Sequence, residues 1–187
     1  QISVTSRSVR IGRSARSVRS SAEDSATAGG RVKPADATAA LVDSHRHFWR
    51  EQGAAVPWIV LTPNFQQRNV GGTLVHQAVL MHAGPGFSPA HPSFEFLVGH
   101  EHLHQWFPQR FGGSDPDPVQ AVHGYWFSEG FTNYYTHRLL LASGLWTLPR
   151  YADALTANLR QYWQSPARNT PVAQIAPGAT GKQSISL

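Results

Sequence analysis

The aromatic residues of this 187-residue chain are distributed unevenly: all six Trp and all nine Phe lie after residue 47. Residues 1–36 are instead rich in Ser, Arg, Ala and Gly and contain few side chains that could be buried. Such a segment cannot offset the conformational entropy that is lost on folding. We therefore expect a poorly ordered, basic lead-in over residues 1–36 and a single folded domain over residues 37–187.

The net charge of +5 belongs largely to this lead-in, because seven of the sixteen Lys and Arg residues lie within the first 33 positions. No aromatic side chain interleaves these arginines as a base-stacking surface requires, so no nucleic-acid partner is expected. No run reaches the roughly 18 apolar residues of a membrane-spanning helix. The chain starts at Gln1 with neither an initiator Met nor a signal-type apolar segment, as expected of an internal fragment.

Hydrophobic periodicity and the placement of Gly and Pro predict an α+β domain, with a small sheet followed by a mainly helical part. A helix is expected from Ala37 to Arg50, followed by two neighbouring strands. The strands would run from Trp58 to Thr62 and from Thr73 to His82. Three more helices are expected: Ser93 to Phe107 with Ser93 as N-cap, about Ser128 to Ser143, and Thr147 to about Trp163.

The last of these helices has the most regular pattern, and its apolar stripe is interpreted as core packing. The stripe consists of Leu148, Tyr151, Ala152, Leu155, Leu159, Tyr162 and Trp163. The residues after Arg168 are rich in Gly, Ala, Ser and Gln and stop at Leu187. A domain cut short at its C-terminus is therefore one expectation.

The chain has no cysteine, so any metal must be held by His and carboxylate side chains. The segment from His100 to His104 fits the pattern H-E-x-x-H, and residues four apart on a helix lie on one face, about 6 Å apart. Both imidazoles could reach one zinc ion. Glu101 would lie beside the open coordination position, as the general base that takes a proton from the attacking water and passes it to the leaving amine. His102 projects from another side of the helix and is interpreted as a bystander.

Two segments carry a family resemblance. They are His100-Glu101-His102-Leu103-His104-Gln105-Trp106 and Tyr125-Trp126-Phe127-Ser128-Glu129-Gly130-Phe131-Thr132-Asn133-Tyr134-Tyr135. Together they resemble the glycyl aminopeptidase family of gluzincin zinc metallopeptidases, in which H-E-x-x-H with a following Trp is joined by W-x-S-E-G-F-T-x-Y-Y. The resemblance runs from about Ala37 through Arg168 and implies a thermolysin-like catalytic domain that hydrolyses peptide bonds.

The resemblance also implies a set of metal ligands. In the family the Glu of the second motif is the third ligand, so one zinc ion would be held by His100, His104 and Glu129. If a helix starts at Glu129, Asn133 follows one turn later on the same face and can accept an N–H from a ligating imidazole. Tyr134 and Tyr135 are the nearest candidates for stabilising the oxyanion, a role that gluzincins give to a Tyr or His further downstream.

The chain departs from the family beside the expected cleft. Gly71 and Gly72 correspond to the start of the family's Gly-Gly-Leu-Glu-His-type substrate strand, but no acidic residue lies between Glu51 and Glu95. Glu95 itself would project about 140° away from His100 around the helix. Because a buried ammonium needs a charge partner, we expect cleavage that does not depend strongly on a free α-amine.

Two hypotheses follow from the sequence. The first is a zinc metallopeptidase acting on peptides or proteins, with aminopeptidase activity as one form of it. The second is a catalytically incomplete homologue that keeps the zinc site and binds peptides along the predicted Thr73 to His82 strand. Both hypotheses predict bound zinc, whereas only the first predicts hydrolysis of peptides.

Overall fold

The computed structural model describes residues 8–9, 34–51, 58–63, 70–75, 78–84, 93–111, 118–171 and 174. Within these ranges the chain is α+β, as predicted, with a four-stranded sheet and four helices. The strands are β1 (Ser8–Val9), β2 (Trp58–Pro63), β3 (Val70–Val75) and β4 (Ala78–Ala83). The helices are α1 (Pro34–Phe48), α2 (Phe94–Leu103), α3 (Pro118–Ala142) and α4 (Leu148–Gln164).

The sheet has the order β1-β2-β4-β3, which places β3 at one edge of the described strands. β2 and β4 are parallel, whereas β3 pairs antiparallel with β4. The prediction of one strand from Thr73 to His82 is therefore wrong, because this stretch contributes to the two strands of a hairpin. The residues between β3 and β4 are His and Gln, not the Gly, Asn or Asp that mark two-residue hairpin loops in a sequence. β1 pairs with β2 from within the predicted lead-in.

The main core joins the sheet to the helices. Its buried members come from α1, β4, α2, α3 and the turn before α4: Leu41, Val79, Met81, Phe94, Val98, Leu140 and Trp146. Gly99 lets the three helices meet closely, since an added Cβ would lie 3.1 Å from a Leu41 methyl and 3.2 Å from a Thr136 methyl. α2 is thus held between α1 and α3.

A second cluster closes the C-terminal end of α2 and explains why this helix is shorter than predicted. Leu103, Trp106, Phe107 and Leu139 are buried there, and Trp49 stacks on Trp106 with ring centroids 5.7 Å apart. α2 ends at Leu103 instead of Phe107, because Trp106 and Phe107 turn into this cluster. Ser93 occupies the N-cap position, as predicted, but its side chain makes no capping hydrogen bond.

α3 begins ten residues earlier than the predicted start at Ser128 and ends within one residue of the predicted end. Pro118 suits the first helical position, where no N–H is required. Gly124 and the three consecutive aromatic residues that follow obscure the helical period in this stretch of sequence. The third metal-ligand candidate, Glu129, therefore lies in the middle of a long helix and not at its start.

A buried histidine pair fixes α1 against α2. His45 Nδ1 and His102 Nδ1 are 2.8 Å apart, and both residues are almost fully buried. Burial, reinforced by the neighbouring His102, lowers the pKa of His45, and burial lowers that of His102 to about 3. Both rings are therefore neutral near pH 7, so one nitrogen can donate and the other accept. His102 is turned away from the metal-ligand candidates, as predicted, but it has a packing partner of its own.

α4 has the bounds that the sequence predicts, and the Thr147 hydroxyl accepts the Arg150 N–H as an N-cap. The interpretation of its apolar stripe as core is wrong. Leu148, Leu159 and Trp163 are 65%, 53% and 64% exposed, and no residue of α4 is buried. The side of α4 that meets the core carries small residues such as Ala154 instead. None of the described helices combines the length and apolar character that crossing a membrane requires.

Candidate metal centre

The site is built on the antiparallel contact between α2 and α3. His104 faces Glu129, His100 faces Asn133 one turn further along, and Phe96 faces His137 one turn beyond that. Residues four apart share a face on each helix, so this register brings successive turns of α2 against successive turns of α3. The two sequence motifs therefore lie on opposite sides of one continuous groove between α2 and α3.

Three side chains converge at one end of the groove. One ligand atom from each of His100, His104 and Glu129 lies within 4.8 Å of the others. The two Nε2 atoms are 3.2 Å apart, and the carboxylate oxygens of Glu129 lie 3.1 Å from His100 Nε2 and 3.7 Å from His104 Nε2. Two imidazoles and one carboxylate are a donor set that suits zinc with a coordination position left open.

Each imidazole is oriented by a hydrogen bond at its Nδ1 atom, on the side of the ring away from the shared point. His100 Nδ1 is 2.7 Å from Asn133 Oδ1, and His104 Nδ1 is 2.7 Å from the Phe107 carbonyl oxygen. A carbonyl oxygen can only accept, so each Nδ1 carries the proton and each Nε2 presents a lone pair to the shared point. Asn133 lies where the sequence predicts it. The Phe107 carbonyl was not predicted, because a main-chain oxygen has no signature in the sequence.

The protonation states of two of these groups suit a bound cation. Burial and the neighbouring His100 lower the pKa of His104, which keeps that ring neutral. Burial acts to raise the pKa of Glu129, but the proximity of His100 and His104 outweighs burial and lowers it. A neutral imidazole and an ionised carboxylate are the forms that bind a metal.

Glu101 lies beside this group in an enclosed position and is only 6% exposed. Burial is the main cause that raises its pKa to about 7; His100 opposes the shift and Glu129 adds to it. A carboxyl group with such a pKa can exchange protons near neutral pH.

Strand β3 covers Glu101 through a glycine. A Cβ added at Gly72 would lie 2.6 Å from Glu101 Cγ and 2.9 Å from its Oε1, closer than real side chains approach. At Gly71 an added Cβ would lie 2.5 Å from the His82 ring. The two glycines therefore let the edge strand approach the carboxylate and the neighbouring strand's imidazole directly.

The structure does not bring the two predicted phenols to the metal-ligand candidates. Tyr134 and Tyr135 follow Glu129 by five and six residues, so the helix turns them about 140° and 240° away from it. The Tyr134 hydroxyl accepts a hydrogen bond from Arg138, and the Tyr135 ring stacks on Phe107 with centroids 5.6 Å apart. Glu95 also faces away, as predicted, and accepts hydrogen bonds from Arg150 and Trp146.

Comparison with protein families gives a match over part of the chain. Residues 93–178, just under half of the chain, match the model of the M61 glycyl aminopeptidases. The match spans α2, α3 and α4, and it confirms the resemblance drawn from the two sequence motifs. It indicates a peptidase, a hydrolase of peptide bonds. No curated protein matches the chain.

Replacing Gly72 by Ala tests the contact between β3 and Glu101. We expect the variant to lose about 1 to 3 kcal/mol of unfolding free energy through overpacking, and to lose peptidase activity as Glu101 is displaced. The matched control is Thr73→Ala, one residue along at an exposed position, where the change should stay below about 1 kcal/mol. Denaturant unfolding and peptide turnover measure both effects, and equal behaviour of the two variants would contradict the contact.

Proposed function

We propose that this chain is a zinc-dependent peptidase, in which Glu101 is the general base and His100, His104 and Glu129 hold the metal. One observation carries the proposal: the three potential ligand atoms lie within 4.8 Å of one another on two helices that also place Glu101 beside them. The family match supports the same class of reaction from an independent direction.

The residues present fit a zinc ion. The two Nε2 lone pairs and the Glu129 carboxylate point to one place, and Asn133 and the Phe107 carbonyl hold the imidazoles in the required tautomer. A bound zinc ion would supply Lewis-acid chemistry, lowering the pKa of water and polarising the substrate carbonyl.

Glu101 would move the proton. With its pKa raised to about 7, the carboxylate can accept a proton from the attacking water and return it to the leaving amine within one turnover near neutral pH. Its side chain is held against Gly72, so it has little freedom to move away from the reacting groups. The same contact keeps bulk water from one side of the carboxylate.

β3 is the proposed substrate strand. It lies at the edge of the described sheet, and Gly71 and Gly72 bring its main chain to the site. An extended peptide could pair with the outer side of such a strand, which gives affinity through main-chain hydrogen bonds. A sheet edge lying over the helix that carries H-E-x-x-H also supports a thermolysin-like domain over residues 37–187 as part of the proposal.

A catalytically incomplete zinc protein that binds peptides is the second candidate. It is favoured by the placement of Tyr134 and Tyr135, since neither phenol lies at the metal-ligand group. A metallopeptidase needs a donor for the developing oxyanion beyond the metal itself. Turnover by the chain decides between the two candidates.

Metal binding is the first test. We expect one zinc ion per chain, and we expect His104→Ala to weaken zinc affinity by at least about a hundredfold, because it removes one ligand of three. His47→Ala is the matched control: His47 is exposed on α1, and the variant should bind zinc as the wild type does. Chelator competition with metal analysis measures both. Wild-type affinity in His104→Ala would remove the basis of the proposal.

The second test separates the base from the ligands. Glu101→Gln should bind zinc normally but lose about 10²-fold to 10⁴-fold in kcat, because the amide keeps the shape of the side chain without its basicity. Zinc analysis and peptide turnover are measured on the same preparation. If Glu101→Gln loses zinc, Glu101 is a ligand; if it keeps full turnover, another group is the base.

The third test concerns the substrate's N-terminus. Among the described residues near the site, the one remaining carboxylate on α2, Glu95, is already paired with Arg150 at 2.8 Å. We therefore expect N-acetylation of a good peptide substrate to change kcat/KM by less than about tenfold. A loss of about a thousandfold would instead identify an ammonium-binding carboxylate. Asp115 and Asp117, which lie outside the described residues, would then be the first to replace.

A further inference from the structure

A pocket of about 330 Å³ lies at the other end of the α2–α3 groove from the metal-ligand group. The rings of Phe96, His137 and Trp146 line one side of it, one face of α4 lines the other, and the pocket is open to solvent. None of the three metal-ligand candidates lines it. Its volume is that of a small-ligand site.

The three rings form a continuous wall. The centroids of Phe96 and His137 are 4.8 Å apart, and Trp146 lies 5.5 Å from His137 and 6.3 Å from Phe96, with its plane tilted by 27° to that of Phe96. Trp146 is only 6% exposed, so its position is fixed by the core. The rings are tilted by 27° to 69° against one another, and Trp146 is almost fully buried with Arg150 over its face. The wall therefore offers a ligand ring the partly exposed faces and edges of Phe96 and His137.

The opposite wall leaves space because of the way α4 is turned. Its large apolar residues face solvent, so it presents Ala154 and Ala157 to the rings, with the amides of Asn158 and Gln161 beside them. Small side chains opposite a wall of rings produce a slot instead of a packed contact.

His137 gives the pocket a hydrogen-bond acceptor. Its Nδ1 lies 2.7 Å from the Asn133 carbonyl oxygen, so Nδ1 must carry the proton. Burial lowers the pKa of His137, which keeps the ring neutral and leaves a lone pair on Nε2. Among the described residues, Nε2 has no hydrogen-bond partner.

The charges at the edge of the pocket compensate each other. Arg150 lies 2.8 Å from Glu95 and 4.3 Å above the centre of the Trp146 ring, and Trp146 Nε1 donates to the same carboxylate at 3.0 Å. A charged ligand would lose hydration here without gaining a charge partner. The pocket therefore favours a neutral ligand.

We propose that this pocket is a second binding site, separate from the metal centre, for a small neutral aromatic molecule that carries an N–H or O–H donor. The ring of the ligand packs against Phe96 and His137 on one side and against Ala154 and Ala157 on the other. Its donor pairs with Nε2 of His137. The site does not depend on metal or on peptide turnover.

The first experiment compares two probes by calorimetry on the full chain. Indole carries an N–H, whereas benzofuran has nearly the same size and shape with an acceptor oxygen in its place. We expect indole to bind saturably, with benzofuran at least about tenfold weaker because it leaves the His137 acceptor unpaired. Binding should be the same with zinc and with a chelator. Equal affinities, or binding of indole that disappears with the chelator, would overturn the proposal.

Two variants on opposite faces of α4 locate the site. Ala157→Trp fills the slot and should abolish indole binding, whereas Ala152→Trp adds the same side chain at an exposed position about 140° around the helix and should leave it unchanged. His137→Phe keeps a ring in the wall and should remove the preference for indole over benzofuran. If both Trp variants bind indole alike, or if His137→Phe keeps the preference, the pocket is not the site.

Discussion

The antiparallel contact of α2 with α3 is the constraint on which the rest of the structure depends. Each helix advances one turn in about 3.6 residues, so side chains at a spacing of four stay on the facing surface. The contact can be close because Gly99 has no side chain and because Thr132 and Thr136 satisfy their hydroxyls within α3. The metal-ligand group and the aromatic pocket are two ends of this one groove.

This arrangement buries polar groups, and the structure pairs most of them. The Nδ1 atoms of His100, His104 and His137 all face carbonyl oxygens, which fixes the tautomer of three rings in a row. Leaving a buried imidazole without a partner costs more than the hydrogen bond contributes net, so these contacts are needed for stability as well as for the orientation of the rings. His45 is the contrast, because its Nε2 is buried without a hydrogen-bond partner in the described part of the chain.

Much of the site could be predicted because its information lies in side-chain spacing. The separation of His100 from His104 and of Glu129 from Asn133 is one helical turn, and such a pattern can be read without coordinates. The Phe107 carbonyl and the approach of Gly72 to Glu101 could not be predicted this way. The first is a main-chain atom, and the second joins a strand to a helix about thirty residues away in sequence.

α4 shows why an amphipathic pattern does not determine what a helix packs against. Its period of apolar residues predicts a helix with one apolar side, and the helix forms where expected. Its rotation is set by other contacts: Thr147 caps its first turn, and Arg150 is held by Glu95 and the Trp146 ring. These contacts turn Ala154 toward the core, leave Ala157 exposed at the pocket, and turn the large apolar residues toward solvent. The same rotation that leaves the stripe exposed therefore creates the slot beside His137.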